Sequence, residues 1–153
     1  MSLNGIFRYI DTIYLSVNVE YGKNTDELVK IKPELKDLLA EYIKRNLETV
    51  ELVESRDIPD LSKYLSRGPL EVSLEVLICC ELENKIFVAA QLRFFRLRKH
   101  GEKFKSDTWG GLRLIGFHVS LADNNVGARI FRKLIPYLYE GVVQPIKTLK
   151  PFD

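Results

Sequence analysis

LEVSLEVLICCELENKIFVAAQLRFFRLR, residues 70–98, is the stretch on which the fold turns. From Leu70 to Leu82 the chain alternates, with Leu70, Val72, Leu74, Val76, Ile78, Cys80 and Leu82 on one side and Glu71, Ser73, Glu75, Leu77, Cys79 and Glu81 on the other. A period of two marks a strand, because successive side chains leave a pleated backbone in opposite directions. Glu83-Asn84-Lys85 reads as a turn, and Ile86 to Arg98 as a returning strand rich in β-branched and aromatic residues. A three-residue loop pairs Leu82 with Ile86 and brings the apolar faces together. A two-residue loop mismatches them, so the longer loop is expected. The same register sets Glu75 opposite Arg93, a favourable cross-strand charge pair.

Working outward, Thr12 to Tyr21 alternates in the same way, with Ile13, Leu15, Val17, Val19 and Tyr21 on one face. Pro33 suits the first turn of a helix. From there to about Glu54 the apolar residues Leu35, Leu38, Leu39, Tyr42, Ile43, Leu47, Val50 and Val53 form a helical stripe opposite charged ones. A short helix is expected over Pro59–Ser66, and a further strand over Leu112–Leu121. Lys99–Gly111, polar and glycine-containing, reads as a mobile loop. Asp123, Asn124 or Asn125 can cap a last helix with the stripe Val126, Ile130, Phe131, Leu134, Ile135, Leu138 and Val142. Pro136 inside that stripe must kink or interrupt it, and the tail through Pro145 and Pro151 is expected to be extended. The order β-α-α-β-β-β-α predicts one α+β domain over residues 1–153, a four-stranded mainly antiparallel sheet with helices packed on one face.

The second sheet face, with Leu77, Cys79, Phe87, Ala89, Phe95 and Leu97 among Glu71, Glu75, Gln91 and Arg93, is too apolar to be left in water. Either the C-terminal helix or another subunit covers it, and Leu77, Phe87, Phe95 and Leu97 are the candidate oligomer contacts.

The 153 residues suit one domain, and 46% hydrophobic with 29% charged residues excludes a disordered chain. No apolar run reaches the roughly 20 residues that span a bilayer, and the first residues lack the order of a signal peptide. Cys79 and Cys80 are adjacent, without metal or redox spacing, and read as small core residues in a reducing compartment. A cytoplasmic location with no membrane partner follows as the expectation. The net charge of +2 is unevenly placed: Arg93, Arg96, Arg98, Lys99, Lys103 and Lys105 face one acid, Glu102, leaving +5 there and −3 elsewhere.

Phosphate-loop, dinucleotide, zinc-protease and nucleophile-elbow motifs are missing from the sequence. His118 within a strand reads as structural, and His100 as a hydrogen-bond donor in the basic segment. No catalytic residue, cofactor or metal ligand is assigned, and an enzyme is not expected. The basic segment is the candidate partner site, through Arg96, Arg98, Lys99, His100, Lys103, Lys105 and Trp109. Its mix of cations with Phe94, Phe95, Phe104 and Trp109 over residues 93–109 also suits phosphates and stacked bases, which makes nucleic acid an alternative partner.

Two further stretches carry resemblances. Ile115–Val119 followed by Asn124–Phe131 resembles the acyl-CoA-binding strand-loop-helix of GNAT-type acetyltransferases, which implies a pyrophosphate held near Gly127 and Ala128; Arg129 stands where that family has a small residue. Ile135-Pro136-Tyr137 with Pro145, Leu149 and Pro151 resembles the end of SecB-type export chaperones, which implies a four-stranded antiparallel sheet in an oligomer. The expectation is a non-catalytic intracellular interaction protein, self-associating through the second face and meeting an acidic partner through Arg96 to Lys105.

Overall fold

The structure is a computed structural model that describes residues 10–21, 30–53, 70–82, 85–100, 103–120 and 125–148. Its elements are β1 (Thr12–Tyr21), α1 (Ile31–Asn46), β2 (Glu51–Val53), β3 (Leu70–Leu82), β4 (Lys85–His100), β5 (Lys103–Ser120) and α2 (Val126–Leu138), which runs through a π turn (Tyr139–Val143) into α3 (Gln144–Thr148). The expected helix over Pro59–Ser66 lies outside the described residues.

The molecule is α+β, but the sheet has five strands in the order β2-β1-β3-β4-β5 and is mixed. β1 runs parallel to both β2 and β3, while β3, β4 and β5 are antiparallel neighbours. The expectation of four mainly antiparallel strands is corrected on both counts. Its cause is the end of the first helix. α1 stops at Asn46, and Thr49, Val50 and Val53, β-branched and poor helix formers, leave it for the sheet edge. Glu51 N–H donates to Asp11 O at 2.8 Å and opens the parallel ladder. Parallel neighbours need a long crossover, and α1 supplies it.

Core and patterning agree more closely. Ile13, Leu15, Val17 and Val19 of β1 and Leu70, Val72, Leu74, Val76 and Ile78 of β3 are buried in one cluster. Leu35, Leu39 and Ile43 of α1 join it, as do Ile130, Leu134 and Leu138 of α2, so both helices cover the same sheet face. Tyr42 and Phe131 meet edge to face where α1 crosses α2, with centroids 5.9 Å apart.

The β3–β4 connection is shorter than expected: Leu82 pairs with Lys85, which leaves two residues between them. One residue of slip there is matched by a bulge between Ile78 and Cys80, after which Ile78 pairs with Val88 and the apolar faces coincide again. Glu75 consequently lies opposite Gln91, one diagonal step from Arg93.

Lys99–Gly111 is not a loop. β4 and β5 continue as paired strands to His100 and Lys103, with two register shifts on the way, at Phe94/Phe95 and Arg96/Leu97. Strict alternation hides such a strand: Gly110 and Asp107, the residues skipped in the pairing, break the period and imitate a loop. The C-terminal segment is also more helical than its prolines suggest. Pro136 sits within α2 and the helix runs on past it; the following turn widens to π, with Gln144 N–H bonded to Tyr139 O. Pro145, expected in an extended tail, lies in α3, directly after the π turn.

Candidate functional site

α2 packs with α1 on the core face, so the C-terminal helix, one of the two expected covers, does not lie on the second face. That face divides along the strands. At one end Thr12, Glu71 and Ser73 are buried, and Leu97 is fully so. At the other, Asn18, Glu20, Gly116 and His118 are exposed, with Leu77 at 43% and Leu114 at 74%. At this exposed end lies a shallow groove of about 220 Å³ whose lining includes Asn18, Glu20, Glu75, Leu77, Ala89, Gln91 and Leu114.

The four candidate oligomer contacts thus differ in what they offer. Phe87 is half-buried, its ring lying over Gly116, where an added Cβ would meet Phe87 Cζ at 3.2 Å, and edge-on to His118 at 5.2 Å. A strand glycine leaves exposed backbone, and an aromatic neighbour that covers it is an internal use for that ring. Phe95 is half-buried beneath the Arg93 guanidinium, 5.6 Å from its centroid. Leu97 has no surface left. Leu77 remains open, joined by Leu114, which sequence reasoning did not single out. Its signal was available: Ile115 and Val119 are core residues of β5, so period-two alternation places Leu114 on the opposite face.

Beside the groove Arg93 Nη2 donates to Glu75 at 2.6 Å, the ion pair expected from the sequence, reached diagonally. With the two side chains 32% and 44% exposed, it adds at most about 1 kcal/mol.

The basic segment is brought together in part. Arg96 is 8% exposed and pairs with Leu70 inside the sheet, so it is part of the buried body. Trp109 pairs with Phe95, across a register shift from Arg96's neighbours at the hairpin end. Arg98 pairs with Lys105, Lys99 with Phe104, and His100 with Lys103.

The coenzyme and chaperone resemblances do not survive the coordinates. A Cβ on Gly127 would lie 2.6 Å from Glu34 Oε2, so this glycine exists to let the first turn of α1 approach α2. A carboxylate stands where the acyl-CoA reading requires a pyrophosphate, and the two anions repel. Asn125 occupies the N-cap of α2 without a capping bond from its side chain. The sheet is mixed rather than the antiparallel one a SecB-type protein implies. Among the described residues no group of three or more His, Cys, Asp or Glu is placed to hold a metal, and no helix is long and apolar enough to cross a membrane.

No protein-family model matches the chain, and no curated protein is similar to it in sequence. Solved structures are similar in fold. A neuraminyllactose-binding hemagglutinin homolog from Helicobacter pylori is 12% identical over 90% of this chain and 86% of its own, with a TM-score of 0.51. A hypothetical protein from Chlamydia trachomatis is 13% identical over 88% and 98%, with a TM-score of 0.44. A lipoprotein from Neisseria meningitidis is 8% identical over 84% and 95%, with a TM-score of 0.41. At these identities the likeness is one of fold. The expectation of a cytoplasmic, intracellular interaction protein is not retained, because the structure similar at a TM-score of 0.51 is a hemagglutinin homolog. Ordinary composition and a balanced net charge do not distinguish compartments, so the sequence carries no signal on this point.

Proposed function

We propose that the chain is a lipoprotein-like domain of the cell surface that self-associates through the open half of its second sheet face. The observation that carries this reading is Leu114, a large apolar side chain 74% exposed at the rim of a groove that also contains Leu77 and Ala89. Leucines so placed favour association, since burial of apolar area is the main driving force between subunits.

The occupant we favour is a second copy. Opposite charges, Glu75 and Arg93, lie side by side next to the apolar patch. A twofold axis through the patch lets Arg93 of each copy meet Glu75 of the other, the self-complementary arrangement that an isologous interface needs. The likeness to the Helicobacter pylori hemagglutinin homolog supports a surface location.

Sedimentation velocity over a hundredfold concentration range tests the association. A concentration-dependent shift from monomer to dimer is expected, and a monomer at every concentration refutes the reading. Fractionation of cells expressing the full-length protein tests location, with recovery in the envelope expected.

A further inference from the structure

We propose that the outer edge of β5, over Arg113–Ser120, accepts an extended segment of another protein as an added strand, one that alternates acidic with apolar side chains. The inference does not rest on self-association through the sheet face.

Among the described strands β5 pairs with β4 alone and closes the sheet on one side, while the opposite edge is the short β2, Glu51–Val53. A strand at an edge keeps a row of unpaired N–H and C=O groups, which a further strand can take up. Gly116 shows that this row is open. An added Cβ there would meet the Phe87 ring at 3.2 Å, Ala89 of β4 pairs with the residue on one side, and the buried Ile115 and Val119 mark the core beneath it. Gly116 is nevertheless exposed, and a glycine has only backbone to expose, so its free surface lies on the side away from β4. The edge is also regular. Both register shifts of the β4–β5 ladder fall at Phe94/Phe95 and Arg96/Leu97, and from Phe94↔Gly111 to Lys85↔Ser120 the pairing runs without a break. Bulges and prolines are usual means of blunting an edge, and this stretch has neither.

The two rows of side chains along this edge differ in chemistry. Leu114, Gly116 and His118 lie on the open face, with Leu114 74% exposed, while Arg113, Ile115, Phe117 and Val119 lie on the face that the helices cover. Arg113 is exposed at the head of that second row, and α2, which packs against β5, exposes Arg132 and Lys133. Neither Arg113–Ser120 nor Val126–Leu138 contains an acid. On the open face, Glu75 and Glu20 stand on β3 and β1, two and three strands away, about 10 Å or more, and Glu75 is bound to Arg93. An incoming strand therefore meets cations on the helix side and a leucine on the other, which suits acidic and apolar residues in alternation. A second copy of β5 brings the same cations and no acid, so it is the poorer occupant.

The probe is a synthetic octapeptide alternating glutamate with valine, added to the full chain at a concentration where the chain is monomeric. Titration calorimetry reads the affinity and amide hydrogen exchange reads the place. Binding is expected, with new protection of alternate amides within Arg113–Val119. Two N-methylated peptides, one blocked at its glutamate amides and one at its valine amides, test the backbone pairing without touching the protein. Only one of these sets can face β5, so one peptide should stop binding and the other bind as before. Replacing the glutamates by lysines should weaken binding about tenfold or more, and Arg113→Gln by up to about fivefold. No binding, protection confined to other strands, or equal effects of the two methylations overturns the proposal. So does protection of the same amides in concentrated protein without peptide, which would give the edge to a second copy.

Discussion

Leu114→Ala separates an association surface from an incidental exposed leucine. Leu114 keeps 74% of its surface in water, so the monomer gains little from it. Full burial of a leucine is worth about 2 kcal/mol, and three quarters of that, about 1.5 kcal/mol, is still available to an interface. A twofold dimer uses the residue twice, for about 3 kcal/mol, which corresponds to a dimer dissociation constant roughly 150-fold weaker in the variant. Monomer stability should change by less than about 0.5 kcal/mol, as for other exposed positions. Sedimentation equilibrium gives the first quantity and urea unfolding at low concentration the second. The reasoning is refuted if the wild-type dimer and the variant dimer dissociate equally, or if the variant loses stability as a monomer, which would mean that Leu114 packs within its own chain.

Three other outcomes follow from the packing. Leu92→Ala, at a fully buried position opposite Leu74 in the middle of the sheet, should cost about 2–5 kcal/mol in chemical denaturation. Gly141→Ala puts a methyl 3.0 Å from Cζ of the buried Phe94 and should cost about 1–3 kcal/mol, whereas Gly116→Ala meets only the half-buried Phe87 ring and should lie within about 0.5 kcal/mol of the parent. The Tyr42 hydroxyl is held above the usual tyrosine range, first by burial and then by the Tyr139 phenol nearby. The folded state therefore keeps a proton that the unfolded state releases. Stability is full below about pH 10 and falls as pH rises through the folded pKa, a decline that Tyr42→Phe should flatten in pH-dependent melts.

What the sequence revealed and what it hid follow from the range of each signal. Alternation and helical periodicity are local, and they identified Ile13 to Val19 of β1, Leu70 to Ile78 of β3 and, Ile135 excepted, the apolar stripe of the C-terminal helix. Parallel pairing is a relation between distant segments. Nothing within Thr12–Tyr21 says which strands will flank it, and the choice fell to Glu51–Val53, whose three residues carry too short a pattern to stand out against the helix before them. The candidate site shows the same division. Cations concentrated near residue 100 are visible in composition, but that Arg96 is buried within the sheet depends on the register of a hairpin whose bulges conceal it.

The Glu75–Arg93 pair shows how a wrong detail can leave a conclusion standing. A three-residue loop implies a register in which the two residues are directly opposite. The two-residue connection moves the pairing by one residue, which alone would turn every apolar side chain of one strand outward. Such a sheet would expose the core residues of β4, a loss of about 1.5–3 kcal/mol for each. The bulge between Ile78 and Cys80 moves it by one more, restoring the parity at the cost of one unpaired residue. The total slip of two preserves which face each residue occupies while changing its neighbour, so Glu75 and Arg93 remain on one face and meet diagonally. Facing is thus fixed by burial energy and can be inferred from hydrophobic pattern. Exact register is fixed by turn and bulge geometry, to which that pattern is blind at every shift of two.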